Sequence, residues 1–431
     1  MTPRSSVPAD WQSLTVEALA LQKKGAIKIG PFGSQLKKNE LKSAGIRVYG
    51  QENVLSSDFR LGDRFIDEAK FESLRSVQLF PGDVVLTMMG SVGAAMVVPN
   101  GIPPGVMDSH LLRIQPDTSL VEPRFLAMVL RDSEDVKKQI RARSQGGIMS
   151  GLNAQIVKSL ELPVPPLPDQ RKIAAILSSV DDAIEKTHAV IDQVQLVKRG
   201  LMQELLTRGL PGRHTRFKQT AIGEVPASWD LKKLMEVATV QTGLAKNGKN
   251  AGPITVPYMR VANVQDGFLD LTEVKSVKVN PDALTRYLLK PGDVLFTEGG
   301  DADKLGRGAV WDGRITPCLH QNHVFVARPQ GNLRPMFLSL YGSSPRGKAY
   351  FLDCSKQTTN LASINSTQLK NLPVPVPSLE EQDEILRLLG TAEARLASER
   401  TLLDALTVAK GSLMSSLLTG ELRVTPDAEV A

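Results

Sequence analysis

The chain has 431 residues, with 52 Lys and Arg against 46 Asp and Glu for a net charge of +6, a length that calls for two or more domains. Two cysteines, Cys318 and Cys354, exclude a disulfide framework and a four-cysteine zinc site, and they suit a reducing compartment. With a mean hydropathy of −0.11, no apolar run of membrane-spanning length and no apolar signal segment after Met1, the expected address is the cytoplasm, with no membrane contact.

From the N-terminus, the first half opens on Val7-Pro-Ala-Asp-Trp11 and a loop-like run, Gly30-Pro-Phe-Gly-Ser-Gln-Leu36. Phe80-Pro-Gly-Asp-Val-Val-Leu86 reads as a turn entering a short apolar strand, and His110-Leu-Leu-Arg-Ile114 as a second strand. Phe125 to Arg143 has helical spacing. A proline-rich stretch follows, Lys158-Ser-Leu-Glu-Leu-Pro-Val-Pro-Pro-Leu-Pro-Asp-Gln170. Beyond it a 4–3 spacing gives Ile173, Leu177, Val180, Ile184, Thr187, Ile191, Val194, Lys198, Leu201 and Leu205. That is a coiled-coil seam. Prolines before it stop the helix from spreading backwards, and Gly209-Leu-Pro-Gly212 ends it.

The second half repeats this plan. Lys370-Asn-Leu-Pro-Val-Pro-Val-Pro-Ser-Leu-Glu-Glu-Gln382 aligns with the first proline stretch at an offset of 212, matching Gln170 with Gln382. The same offset yields a second seam: Ile385, Leu389, Ala392, Leu396, Glu399, Leu403, Leu406, Lys410, Leu413 and Leu417. Upstream the offset drifts, as between Asn53-Val54 and Asn263-Val264 or Pro81-Gly-Asp83 and Pro291-Gly-Asp293. A drifting offset means loops of different length on a shared scaffold. Two matched seams predict that the helices pair with each other. The expected fold is α/β (α+β) with long helices. Two tandem globular domains are separated along the chain by two long antiparallel coiled-coil helices with a pseudo-twofold repeat. The boundaries read 1–165, 166–212, 213–377 and 378–422, with a tail at 423–431.

Charge divides along the same lines. Residues 1–160 carry 20 basic and 16 acidic side chains, and residues 213–371 carry 21 and 13. Residues 161–212 carry 6 and 7, and residues 372–431 carry 5 and 10. The globular halves are basic and the helical segments acidic. A nucleic-acid backbone would meet the globular halves, and the helices would meet protein.

The ordered repeat, the Leu-Pro-Val-Pro stretches leading to Gln170 and Gln382, and the Leu-Met-x-x-Leu-Leu-Thr ends at Leu201–Thr207 and Leu413–Thr419 resemble the DNA-specificity (S) subunits of type I restriction–modification systems. The resemblance spans about Trp11 to Glu421, and the Gly30–Leu36 loop belongs to it. Gln241-Thr-Gly-Leu-Ala-Lys246 departs from that loop, which suggests a different half-site. The resemblance implies a non-catalytic chain whose two target-recognition domains each read half of a bipartite double-stranded DNA site. Its helices set the spacing and dock two modification subunits. S-adenosylmethionine belongs to those adenine methyltransferases, and ATP and Mg to a restriction subunit where one is present; this chain itself takes no cofactor.

Candidate DNA contacts are basic and amide side chains in loop-like stretches, whose chemistry suits phosphates and base edges. In the first half these are Lys28, Ser34, Gln35, Lys37, Lys38, Gln51, Arg143 and Gln145. In the second they are Lys246, Asn247, Lys249, Arg260, Lys304, Arg307, Lys356 and Gln357. Arg143–Gly146 and Lys356–Thr359 precede the proline stretch at matched depth and are the best pair of equivalent DNA-facing loops. The rival readings are a self-contained DNA methyltransferase or nuclease, and a coiled-coil protein scaffold. No Asp/Asn-Pro-Pro-aromatic methyltransferase turn is present. Gly342–Lys348 nearly matches a phosphate loop but fails at Ala349, where a hydroxyl is needed. Glu273-Val-Lys275 with Asp266 and Asp270 is a cramped nuclease-like fragment. His320-Gln-Asn-His323 supplies two histidines where a zinc site wants three or four ligands.

Overall fold

The computed structural model describes residues 8–90, 92–144, 152–246, 248–300, 305–357 and 362–425. The chain divides into two compact units, Met1–Thr187 with Leu402–Ala431, and His188–Thr401. Each long helix therefore contributes to both units, rather than forming a body of its own.

In the first unit the strands are β1 (Gln12–Thr15), β2 (Ile27–Ile29), β3 (Ile46–Tyr49), β4 (Phe65–Ile66), β5 (Val84–Thr87), β6 (Ala95–Val97), β7 (Gly105–Met107), β8 (Leu111–Ile114) and β9 (Glu161–Val164). An antiparallel sheet runs β2-β8-β5-β6, and a mixed one runs β4-β3-β7 with β3 and β7 parallel. Strands β5 and β8, apolar but for Thr87 and Arg113, are buried on both faces. Pro81-Gly-Asp83 enters β5 as a tight turn: Gly82 takes a φ of 88°, and Asp83 Oδ2 accepts from Phe80 N at 2.9 Å. The helical spacing from Phe125 resolves into two helices, Pro123–Asp132 and Glu134–Ser144. Ser133 lies between them in an extended conformation, and its hydroxyl accepts from Val136 N at 3.4 Å.

The second unit rebuilds the plan with β10 (Phe217–Thr220), β11 (Gly223–Pro226), β12 (Asp230–Lys233), β13 (Ala238–Thr242), β14 (Ile254–Met259), β15 (Lys275–Val279), β16 (Val294–Thr297), β17 (Gly299–Gly300), β18 (Gly308–Val310), β19 (Leu319–His320), β20 (Val324–Pro329), β21 (Lys356–Gln357), β22 (Ala362–Ser363) and β23 (Pro373–Val376). Sheet β13-β20-β16-β18 answers β2-β8-β5-β6, and β15-β14-β19 answers β4-β3-β7. The hairpin β10-β11 and the small sheet β17-β22-β21 have no counterpart among the described residues of the first unit.

Gln170 and Gln382 explain the proline stretches. Gln170 is fully buried; its Oε1 accepts from Glu122 N at 2.8 Å, and its Nε2 donates to Leu120 O and Pro165 O at 3.0 and 2.8 Å. Glu122 caps helix Pro123–Asp132 without a side-chain bond of its own. Gln382 does the same for Arg334 N at 2.8 Å, Asn332 O at 2.7 Å and Pro377 O at 2.9 Å, at the start of helix Pro335–Ser343. One carboxamide thus ties the first turn of each long helix to the cap of a domain helix.

The long helices are Leu167–Arg208, of 42 residues, and Leu379–Thr419, of 41. Ile173, Leu177, Ile191, Leu205, Ile385, Leu389, Leu396 and Leu417 are buried. Val180, Ile184, Val194, Leu201, Leu403, Leu406 and Leu413 are half-buried. In the first unit Ile173, Ala174 and Leu177 share a core with Leu417, Leu418 and the domain strands. There Asp169 meets Arg423 at 3.4 Å and Asp181 meets Lys410 at 2.6 Å, so one helix descends as the other rises. In the second unit Leu205 and Leu206 share a core with Ile385 and Leu389, and Lys198 pairs with Glu393. The helix segments are antiparallel in each unit. Asp181 and Glu393 are 212 residues apart, as are Lys198 and Lys410. The lysines that break the apolar seam are thus ion-paired in both units at equivalent positions.

Gln382→Leu leaves one buried N–H and two buried carbonyls without their partner. It should lower the unfolding free energy by about 2–3 kcal/mol, read as a drop in urea midpoint. Gln382→Glu sets a buried carboxylate against the Asn332 and Pro377 carbonyls and should lose at least as much at neutral pH. An unchanged midpoint for the leucine variant would show that the clamp contributes nothing.

Candidate nucleic-acid interface

The two ends of each four-stranded sheet differ. One end carries the turn common to both halves; Asp293 Oδ2 accepts from Lys290 N at 2.8 Å, as Asp83 does in the first unit. From the other end emerge segments that differ in sequence and length. In the first unit these are 30–36 after β2, 88–90 after β5 and 108–110 before β8. Backbone bonds stitch them together. Gly30 N donates to Leu111 O at 3.0 Å, Met88 N to His110 O at 2.8 Å, and Leu152 N to Met88 O at 3.2 Å. A Cβ on Gly30 would lie 1.8 Å from Asp108 O, so no other residue passes here.

The second unit converges the same way. Leu244 N donates to His320 O at 2.8 Å, Asn322 N to Leu244 O at 3.0 Å, and Ile364 N to Glu298 O at 2.8 Å. Gly299 pairs with Ser363 and Lys356 with Ser363, which brings the Lys356–Gln357 strand beside Glu298. A Cβ on Gly243 would lie 2.2 Å from Gln321 O, repeating the constraint at Gly30.

Among the sequence candidates of the first unit, Ser34, Gln35, Lys37, Lys38 and Arg143 are exposed, and Lys28 is half-buried on β2. Gln51 sits opposite Gly90, and its Oε1 is buried without a partner. Lys37 N donates to Glu40 Oε2 at 2.6 Å, and Glu40 also takes Lys70 Nζ at 2.7 Å. Those bonds, the Lys70 one first, hold the Glu40 carboxyl below its ordinary value. Arg143 Nη1 donates to Gln139 Oε1 at 2.7 Å. In the second unit Lys246, Lys249 and Lys356 are exposed. Lys246 Nζ stands 4.7 Å from the Tyr258 ring centre. Gln145, Asn247 and Lys304 lie outside the described residues, and Gln357 is described in its backbone only.

Arg260 and Arg307 are held by the fold. Arg260 Nη2 donates to Glu273 O and Glu273 Oε2, both at 3.1 Å, and its Nε is buried without a partner. Arg307 Nη1 donates to Gln265 Oε1 at 2.9 Å. The Asn-Val repeat is also internal. Asn53 Oδ1 accepts from Gly50 N at 2.9 Å, and its amide donates to Asp58 O and Leu61 O. Asn263 bonds Arg260 N, Asp270 O and Glu273 O in the same way.

The motif-like fragments each have a structural role. Asp266 pairs with Lys348, Asp270 Oδ1 accepts from Thr272, and Glu273 faces Arg260, so these carboxylates turn to separate partners. Gly342–Lys348 forms a corner between two helices, where a Cβ on Gly347 would lie 2.3 Å from Tyr341 O. His320 is buried and its Nδ1 donates to Val324 O at 2.7 Å, whereas His323 is exposed and faces Glu298. The sequence reading passed over Asp108, Glu298 and Asn322 at this end of the sheets. The apolar runs His110-Leu-Leu-Arg-Ile114 and His323-Val-Phe-Val-Ala327, each opening on a histidine, are the sequence signal that marks the place.

A family model described as the type I restriction modification DNA specificity domain matches residues 29–196 and again 226–408. The chain is similar to the putative type I restriction enzyme MjaX specificity subunit of Methanocaldococcus jannaschii, 30% identical over 210 residues, covering 48% of this chain and 49% of that one. It thus spans about half the length of that relative. It is also similar to the MjaVIII specificity subunit of the same organism, 24% identical over 426 residues, covering 97% of this chain and 94% of the other. The crystal structure of the type I restriction–modification S subunit from M. genitalium superposes with a TM-score of 0.54 at 15% identity, covering 97% and 99% of the two chains, a likeness of fold.

The buried His320 makes the second unit acid-sensitive. Burial pushes its imidazole down to about 4 from an ordinary 6.5. Between those values the unfolded chain binds a proton that the folded one does not, so stability falls as pH drops. The loss should approach ~3 kcal/mol by pH 4. Urea midpoints followed by tryptophan fluorescence should therefore decline from pH 7 to 4.5. A flat or rising trend would contradict a neutral, buried His320.

Proposed function

The chain belongs to the type I restriction–modification DNA specificity family, and from that premise we propose that it is the non-catalytic DNA-reading subunit of such a complex. Each unit reads one half of a bipartite double-stranded site through the loops at one end of its four-stranded sheet. The carrying observation is the tandem family match on two units that share sheets, turns and clamps but differ in those loops. Phosphate contacts position a reader, and base-edge contacts supply sequence. Equivalent sheets with different loops therefore suit two different half-sites. The long antiparallel helices set the spacing between the half-sites and dock two modification subunits. S-adenosylmethionine binds those partners, and ATP and Mg belong to restriction subunits where they are present. The complex works in the cytoplasm on chromosomal and incoming DNA; among the described residues no helix is long and apolar enough to cross a membrane.

The deciding experiment is methylation mapping of cells that express the chain with its modification partner. Modified adenines should fall in a split motif. Exchanging residues 213–371 for the same region of a relative should change one half-site and leave the other. A change in both half-sites would overturn the modular reading. Methylation by the isolated chain would overturn the non-catalytic one.

The spacer offers a second test. Four residues inserted near Arg199 add about one helical turn, ~6 Å. With ~3.4 Å per base pair on each strand, the preferred spacer should lengthen by roughly one or two base pairs. The half-site sequences should stay as they were, because no loop is altered. An unchanged spacer with retained activity would show that something other than this helix sets the register.

A further inference from the structure

His110 and His323 occupy the same register position in their two units. In the first, Thr87 pairs with Leu111 and Met88 N donates to His110 O at 2.8 Å. In the second, Thr297 pairs with Val324 and Glu298 N donates to His323 O at 2.9 Å. Each histidine is the residue just before the central strand, at the loop-bearing end of the sheet. Both side chains are open to solvent, 43% and 52% exposed.

Each ring also turns Nδ1 toward a carboxylate. His110 Nδ1 lies 3.5 Å from Asp108 Oδ1, and Asp108 is itself held by Arg64 Nη1 at 2.8 Å. His323 Nδ1 lies 2.5 Å from Glu298 Oε2. The carboxylates come from different places, two residues upstream in one unit and the neighbouring strand's end in the other. In the first unit Asp108 Oδ1 also accepts from His110 N at 2.9 Å, so a local turn places it beside the ring, whereas in the second the fold brings Glu298 there. Everything around the histidine changes: Met88-Met89-Gly90 of the first unit corresponds to Glu298-Gly299-Gly300 of the second, and Asp108-Ser109 to Gln321-Asn322.

A side chain kept in place while the neighbouring readers change suits what two different half-sites have in common, which is the phosphate backbone. We propose that His110 and His323 are equivalent, sequence-independent DNA contacts, one per half-site, each offering its Nε2 edge to a phosphate oxygen. The carboxylate at Nδ1 fixes the ring's orientation and leaves the Nε2 edge to meet the anion. In the second unit Asn322 Nδ2 lies 3.1 Å from His323 Nε2, and a phosphate oxygen docked there would accept from both N–H groups in place of the bond between them. The proposal rests on the DNA-specificity reading above.

The test uses the full chain assembled with its modification partner. The probes are a duplex carrying the mapped site and one of equal length with both half-sites scrambled. His110→Ala and His323→Ala should each weaken binding to both duplexes by a similar factor, about tenfold. The double variant should show roughly the product of the two, with the mapped motif unchanged. His323→Lys keeps a donor for phosphate and should recover most of the loss. Loss confined to the site-bearing duplex, with one base pair relaxed, would make the histidine a base reader and overturn the proposal. Unchanged binding with a lowered melting temperature would make the pair a loop staple, and a lysine variant as weak as alanine would also overturn it. A wild-type complex that does not prefer its mapped site would instead overturn the specificity reading itself.

Discussion

The position of each reading surface relative to its long helix depends on one buried carboxamide per unit. A helix start leaves backbone N–H groups unpaired, and proline cannot supply one. Helices Pro123–Asp132 and Pro335–Ser343 both begin with proline, and neither has a side-chain cap of its own. Gln170 and Gln382 reach across to make that bond, and they return two donors to carbonyls on either side. An amide is the one neutral side-chain type that offers both an acceptor and two donors in a plane. Glutamate would lack the donors, and leucine would satisfy nothing. A fully buried residue with three backbone partners has a single orientation, so the domain helix and the long helix behave as one piece.

That rigid junction gives the seam its second use. A sequence reading assigns Ile173, Leu177, Ile385 and Leu389 to helix pairing, and so marks 166–212 and 378–422 as separate spacers. In the structure these side chains lie in the domain cores as well, Ile173 with Trp11 and Leu112, Ile385 with Trp229 and Phe337. Periodicity shows which face of a helix is buried but not what buries it. The polar breaks at Lys198 and Lys410 were visible for the same reason, and their partners Glu393 and Asp181 were not, because an ion pair between helices leaves no mark in either helix's own spacing.

The loop-bearing ends show where legibility stops. The repeat, the Pro-Gly-Asp turns and the proline stretches were readable because local chemistry decides them. Arg260 and Arg307 have the charge and setting of DNA contacts, yet Glu273 and Gln265 claim them through contacts that only the folded chain makes. Gly30 and Gly243 look unrelated in sequence, Gly-Pro-Phe against Gly-Leu-Ala. Both are forced by a backbone passing where a Cβ would stand. A close approach between distant segments is a three-dimensional constraint, and composition carries no trace of it.

The two units also show which parts of the scaffold admit drift. Trp229 Nε1 donates to Glu381 Oε2 at 3.0 Å, and the same carboxylate takes His214 Nε2 at 2.6 Å through Oε1. The matching places in the first unit are Trp11 and Asp169. Asp169 is one methylene shorter and turns to Arg423, while the Trp11 Nε1 is buried without a partner. An unpaired indole N–H costs stability, but it moves no helix, because the ring is still packed in its core. At the glutamine clamps, by contrast, both units keep the same residue with the same three roles. The difference follows from what each contact controls. The tryptophan bond adds one partner to a packed ring, whereas the carboxamide joins the long helix to the cap of a domain helix through three backbone groups. Under the proposed function, a chain that presents loops to a fixed DNA register tolerates loss of the first more readily than any change in the second.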